Sequence, residues 1–151
     1  MRIAVSSNRF RKDNWTNISW LPHFWDKYNF PKGCDFYCYL NDEIELLFNP
    51  EQLIKYRERD QIGTMIEDVT IHNKYPDVDI PLGFPLFYNG FVVLKNTDKS
   101  QLILDTWKEL EDISLVIYKL NLIPINYPSN IIKIHQKIDV KPNIIWGKEN
   151  D

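Results

Sequence analysis

Three observations predict an α/β fold. Apolar, β-branched and aromatic runs of strand length alternate with stretches at helical spacing. The chain of 151 residues is 44% hydrophobic and 26% charged, which suits one globular domain with a real core. No internal repeat, linker or low-complexity segment divides it, so residues 1–151 read as a single domain.

The elements follow in order. Residues 2–6, Arg-Ile-Ala-Val-Ser, read as a short first strand. Trp15, Ile18, Leu21, Trp25 and Tyr28 stand near helical spacing and predict a helix, with Asp13 or Asn14 as its cap. Pro22 lies inside that stretch and shortens the helix or starts it. Pro31-Lys-Gly33 is a turn, and residues 35–40 form a buried strand. Asn49 caps a helix whose first turn holds Pro50.

Residues 62–66 are a possible strand, and residues 67–83 a polar connection. Residues 84–95 are aromatic and β-branched around Asn89-Gly90, which signals a hairpin or a close approach of backbone to a ligand. Residues 99–120 are the clearest helix, with Leu102, Ile103, Thr106, Trp107, Leu110, Ile113 and Ile117 on one face. Thr97 or Asp98 caps it, and Glu109, Glu111 and Asp112 lie largely off that face. Residues 130–135 make a last strand.

Bulk properties narrow the function. A net charge of −3 argues against a basic nucleic-acid surface. Cys34 and Cys38 are too few for a disulfide framework; four apart on one strand, they share a face but cannot bridge, and read as reduced core residues. No apolar run reaches membrane-spanning length, and residues 1–6 are too short for a secretory leader, so a cytoplasmic protein is expected. In that compartment the acceptor patterns at Asn14 and Asn17 stay unglycosylated. Frequent Ile, Asn, Lys and Tyr would fit AT-rich codons, as in a virus or phage.

Residues 34–46 carry the most chemistry. An apolar, aromatic strand runs into Asn41, Asp42 and Glu43, after which apolar residues resume. Acids at the carboxyl end of a buried strand lie where α/β sheets bind ligands. Amide and carboxylate oxygens suit a hard cation, Mg²⁺ or Mn²⁺, which would hold a diphosphate. The plainer reading is a strand that ends in a polar turn.

Three blocks carry a resemblance. Tyr39-Leu-Asn-Asp-Glu-Ile-Glu-Leu46 with Asn49-Pro50 resembles the strand and turn of nucleotide-sugar glycosyltransferases of the GT-A fold, where that strand ends in Asp-x-Asp. Phe87-Tyr-Asn-Gly-Phe-Val-Val-Leu-Lys-Asn-Thr97, followed by Leu104-Asp-Thr-Trp107, resembles a second block of the superfamily. His135, Lys141-Pro142 and Trp146 resemble its C-terminal His…Lys-Pro-Trp region. The blocks cover residues from about 35 onward. Two departures stand out: the first acid is Asn41, which ligates without adding charge, and Asn89-Gly90 lacks a spacer. Only about forty residues precede Asn41, so the base and ribose pocket would be absent or rebuilt from residues 5–10.

The resemblance implies a small GT-A-like mixed sheet flanked by helices, and sugar transfer from a nucleoside-diphosphate sugar to a sugar or protein acceptor. A Mn²⁺ or Mg²⁺ ion would neutralise the leaving diphosphate. Glu43 is the expected direct ligand, Asn41 a second ligand or a contact to the ribose, and His135 a third ligand or simply a satisfied polar residue. Lys141 would touch the diphosphate or be an ordinary surface lysine, Trp146 would cover the site or seal the core, and Arg9 and Arg11 would meet the nucleotide or remain solvated surface residues. Asn89 and Gly90 would contact the donor sugar or acceptor, or simply make a turn. One of Glu67, Asp68 and Asp79 would serve as general base in an inverting reaction, or these would remain solvated loop acids. The alternative is a catalytically inactive GT-A-like protein that binds a nucleotide, a sugar or a host protein. Incomplete sheet edges in so short a chain would favour a homodimer.

Overall fold

The computed structural model describes residues 1–7, 9–55 and 61–135. Its frame is a six-stranded mixed sheet built from β1 (Ile3–Ser6), β2 (Ile18–Trp20), β3 (Phe36–Leu40), β5 (Ile62–Thr64), β8 (Phe91–Lys95) and β9 (Pro124–Asn126). The spatial order is β2-β1-β3-β8-β5-β9. β8 alone runs against its neighbours, pairing antiparallel with β3 and β5, while β2, β1 and β3 are mutually parallel and β9 follows β5. Two small antiparallel ribbons complete the strands. One joins β4 (Ile44–Leu46) to β10 (Ile132–Ile134), and the other joins β6 (Ile66–Thr70) to β7 (Pro85–Phe87).

Side chains alternate across each strand, so the sheet has two cores. Val5, Phe36, Cys38, Leu40, Phe91 and Val93 pack on one face, beside Ile54 of α1 (Pro50–Lys55). Tyr37, Val92 and Leu94 pack on the other, against α3 (Ser100–Leu110) and α4 (Ile113–Lys119). Trp107 is 1% exposed at the centre of that second core. Truncating a buried aromatic of this size costs about 3–5 kcal/mol. Cys34 and Cys38 are buried free thiols, although Cys34 precedes β3 instead of sharing the strand with Cys38, and burial raises them to about 11 and about 12.

Several sequence expectations give way here. Residues 15–28 are not a helix: turns flank β2, and Pro22, with no N–H, opens a turn closed by Trp25 N–H at 3.0 Å. The apolar spacing serves two faces instead of one. Ile18, Trp15 and Trp20 join the first core, whereas Leu21, Trp25 and Tyr28 join the second. Residues 67–83 are more than a connection, since they contain most of β6 and all of α2 (Ile71–Lys74).

Asn89-Gly90 does not close a simple hairpin, because β7 pairs with β6 while β8 enters the main sheet. The long helix is two helices, broken where Glu111 turns left-handed at φ 64°. Asp112 then caps α4, its Oδ1 accepting from Ser114 N–H at 2.9 Å. Leu102 sits half-exposed, and the buried stripe of α3 is Ile103, Leu104 and Trp107.

Candidate functional site at the carboxyl edge

The parallel strands fix one edge of the sheet as the meeting place. β1 ends in Ser6, β3 ends beside Asn41, and the reversed β8 starts there after Gly90. Asn41 N–H donates to the Gly90 carbonyl at 2.8 Å, which locks the two turns together. The Asn41–Glu43 turn is closed from within. Asn41 Oδ1 accepts from Glu43 N–H at 3.0 Å, and the Asn41 carbonyl accepts from Ile44 N–H at 3.0 Å.

Two clefts lie near this edge, and the turn residues Asn41 and Asp42 line only the first. One, about 320 Å³, is lined by Ser6, Trp25, Asp26, Lys27, Tyr39, Leu40, Asn41 and Asp42. The other, about 460 Å³, lies on the β6 side, where Met65, Glu67, Asp68, Tyr88, Ile132 and Ile134 contribute walls. In the first, the Lys27 ammonium faces three rings, 4.7 Å from the Trp107 centroid and 5.0 Å from those of Tyr28 and Tyr39. Desolvation lowers the Lys27 amine, and the nearby Asp26 charge opposes that shift. In the second, burial raises the Tyr88 phenol, with the Glu43 and Glu67 charges adding to the effect.

Gly90 explains how Tyr88 reaches this position. A Cβ on Gly90 would lie 2.4 Å from the Tyr88 ring, so only glycine lets the phenol fold back over the chain. Asn89 faces inward. Its Oδ1 accepts from Ile113 N–H at 2.6 Å and Trp107 Nε1–H at 3.2 Å, and its Nδ2 donates to Asp112 Oδ1 at 3.3 Å. Asp112 is wholly buried and also takes Lys74 Nζ at 2.8 Å and the Tyr75 hydroxyl at 2.7 Å. Burial pushes its carboxyl up, but the hydrogen bonds from Lys74, Tyr75 and Ser114 N–H outweigh that and hold it below the usual range.

His135 lies beside the turn through its backbone, donating N–H to the Glu43 carbonyl at 2.7 Å. Its ring bonds elsewhere: Nε2 is 2.8 Å from Glu45 Oε1. Glu45 Oε2 accepts from Lys12 at 2.7 Å, and Phe10 stacks on the imidazole at 4.3 Å. Hydrogen bonds from Lys12 and then His135 hold the Glu45 carboxyl low. Arg9 is exposed and its guanidinium lies over the Phe10 ring. Asp68 is an exposed wall of the larger cleft, and Asp79 is exposed in the segment before Ile80. Lys141 and Trp146 lie outside the described residues.

Among the described residues, no group of three or more His, Cys, Asp or Glu side chains gathers as a metal cage. The edge instead offers Glu43 and the Asn41 amide oxygen, which keeps a second lone pair after accepting the Glu43 N–H. Mg²⁺ is commonly held by one or two carboxylates plus substrate phosphates, and this sparse donor set fits an ion delivered with a diphosphate.

Sequence reasoning passed over Lys27, Tyr88 and Glu45. Alternation did mark Glu45, since Ile44 and Leu46 on either side are buried. Nothing local marked Lys27, because Tyr39 and Trp107 come from distant strands and helices. No family model matches the chain, and neither does any curated protein or solved structure. No helix among the described residues is long and apolar enough to cross a membrane.

Proposed function

We propose that this chain is a small glycosyltransferase that takes a nucleoside-diphosphate sugar at the Asn41–Glu43 turn and passes the sugar to an acceptor. The observation that carries the reading is the placement of that turn. It ends β3 at the carboxyl edge, is bonded to Gly90 at the start of β8, and contributes Asn41 and Asp42 to the wall of a cleft. The mixed order β2-β1-β3-β8-β5-β9 suits a GT-A-like sheet.

The residues then divide the work. Glu43 and Asn41 would hold a Mg²⁺ or Mn²⁺ ion, which would offset charge on the departing diphosphate. Breaking the bond between the sugar's anomeric carbon and the diphosphate oxygen leaves that charge on the nucleotide, while the acceptor hydroxyl bonds the carbon and gives up its proton. Tyr88, Glu67 and Asp68 line the larger cleft, and Asp68 would be the base that takes that proton.

A second reading draws on a specific observation. Asn41 Oδ1 already closes its turn and the His135 ring already pairs with Glu45, an arrangement suited to binding a nucleotide or sugar without turnover. Calorimetric titration with UDP and GDP, with and without Mn²⁺, on wild type and Glu43→Ala tests both. Metal-dependent binding lost in Glu43→Ala supports the site, and donor screening for sugar transfer then separates enzyme from binder. Binding of neither nucleotide under any condition would overturn the transferase reading.

A further inference from the structure

The smaller cleft contains a charge that the proposed transferase chemistry leaves unused. Lys27 belongs to a loop tied down at several points. Its carbonyl accepts from the Tyr37 hydroxyl at 3.0 Å, and Asp26 Oδ1 accepts from Tyr28 N–H at 3.0 Å. Gln101 of α3 donates to the Tyr28 carbonyl at 2.8 Å and accepts from Phe30 N–H at 3.0 Å. The side chain is bordered by aromatic rings. Tyr28 and Tyr39 each stand edge-on to Trp107 with centroids 5.5 Å apart, and the ammonium sits among the three rings.

Ring faces attract a cation without cancelling its charge. They also strip water from it, so an incoming anion meets a partly desolvated ammonium whose rotamers are already restricted. Asp26 and Asp42 line the same cleft and would repel a bare anion. A diphosphate that carries its own divalent cation suits both: the cation, held from the Asn41 side of the cleft, would offset the Asp26 and Asp42 charges, and the phosphate would meet the ammonium.

We propose that Lys27 is the phosphate-binding residue of this cleft, selecting a metal–diphosphate group over a bare anion or an uncharged nucleoside. The proposal rests on the nucleotide-sugar reading and sharpens it by naming the group that receives the diphosphate.

The test titrates Mg²⁺-pyrophosphate, UDP, GDP, uridine and guanosine into wild type and Lys27→Met. Methionine keeps an apolar stem against the rings and removes the charge. The expected result is binding of Mg²⁺-pyrophosphate and a nucleotide to wild type, weakened about tenfold in Lys27→Met, with nucleoside binding unchanged. Pyrophosphate without Mg²⁺ should bind wild type more weakly than with it.

If Lys27→Met binds the diphosphates as tightly as wild type, Lys27 has no such role, although the nucleotide reading stands. Lys27-dependent pyrophosphate binding with no binding of UDP or GDP would keep this role and remove the nucleotide. Absence of any diphosphate binding overturns both. Should Lys27→Met fail to fold, the Lys27 side-chain NMR signals of wild type decide. A shift on adding Mg²⁺-pyrophosphate supports the role, and unmoved signals reject it.

Discussion

Asn41 and Asn89 sit in two adjoining turns at the same sheet edge and use the same side chain in opposite ways. Asn89 spends both ends of its amide inside the protein, on Ile113, Trp107 and Asp112. Asn41 closes one short turn and leaves the rest of its amide at a cleft wall. Asp112 and Glu43 differ likewise: the first is 0% exposed and surrounded by donors, whereas the second is partly open. Position at the edge therefore does not distinguish a ligand-binding group from a structural one. Hydrogen-bonding capacity left over after folding does.

The comparison can be broken first at Asp112. Asp112→Ala strands the Tyr75 hydroxyl, Asn89 Nδ2 and Ser114 N–H, so it should cost about 3 kcal/mol of stability in urea unfolding. A loss near zero would mean that the knot is not structural. A smaller effect is expected at the hinge between the turns. Gly90→Ala forces the Tyr88 ring away, which should cost about 1–3 kcal/mol and weaken any ligand bound beside Glu43. Unchanged stability and binding would show that Tyr88 does not depend on Gly90.

The smallest effect concerns acid. Asp112 and Glu45 both have folded pKa values below their ordinary 3.8 and 4.5. Their contribution is therefore complete above those values and disappears as pH falls through the lower folded ones. Urea midpoints measured from pH 6 downward should fall below about pH 4. Glu45→Gln should remove only a minor share, under about 1 kcal/mol, because its partners are partly solvated. A pH profile steeper in Glu45→Gln than in wild type would contradict that assignment.

Much of the frame was legible in the sequence. Continuous apolar runs marked β1, β3 and β8, and helical spacing marked α3 even though its end was misjudged. β2 was hidden because Trp15 to Tyr28 divides its apolar residues between two cores, which mimics helical spacing. β6 was hidden by exposure, since nearly all its residues face solvent. The Asn41–Glu43 turn was legible because strand and acids are contiguous. The aromatic surroundings of Lys27 were not, because they assemble only when residues 28, 39 and 107 meet in space. Asp112 escaped because its partners come from three separate elements.

The reversed strand also imposes an order of assembly. β3 has β1 on one side as soon as residue 40 is made, but its other side belongs to β8, and residues 41–90 lie between them. During synthesis the central strand thus leaves one row of amides and carbonyls unpaired while much of the chain is still to come. Closing that gap is a long-range step, and such steps slow folding and prolong exposure of sticky edges. The same strand that brings two turns to one edge makes that edge late to form.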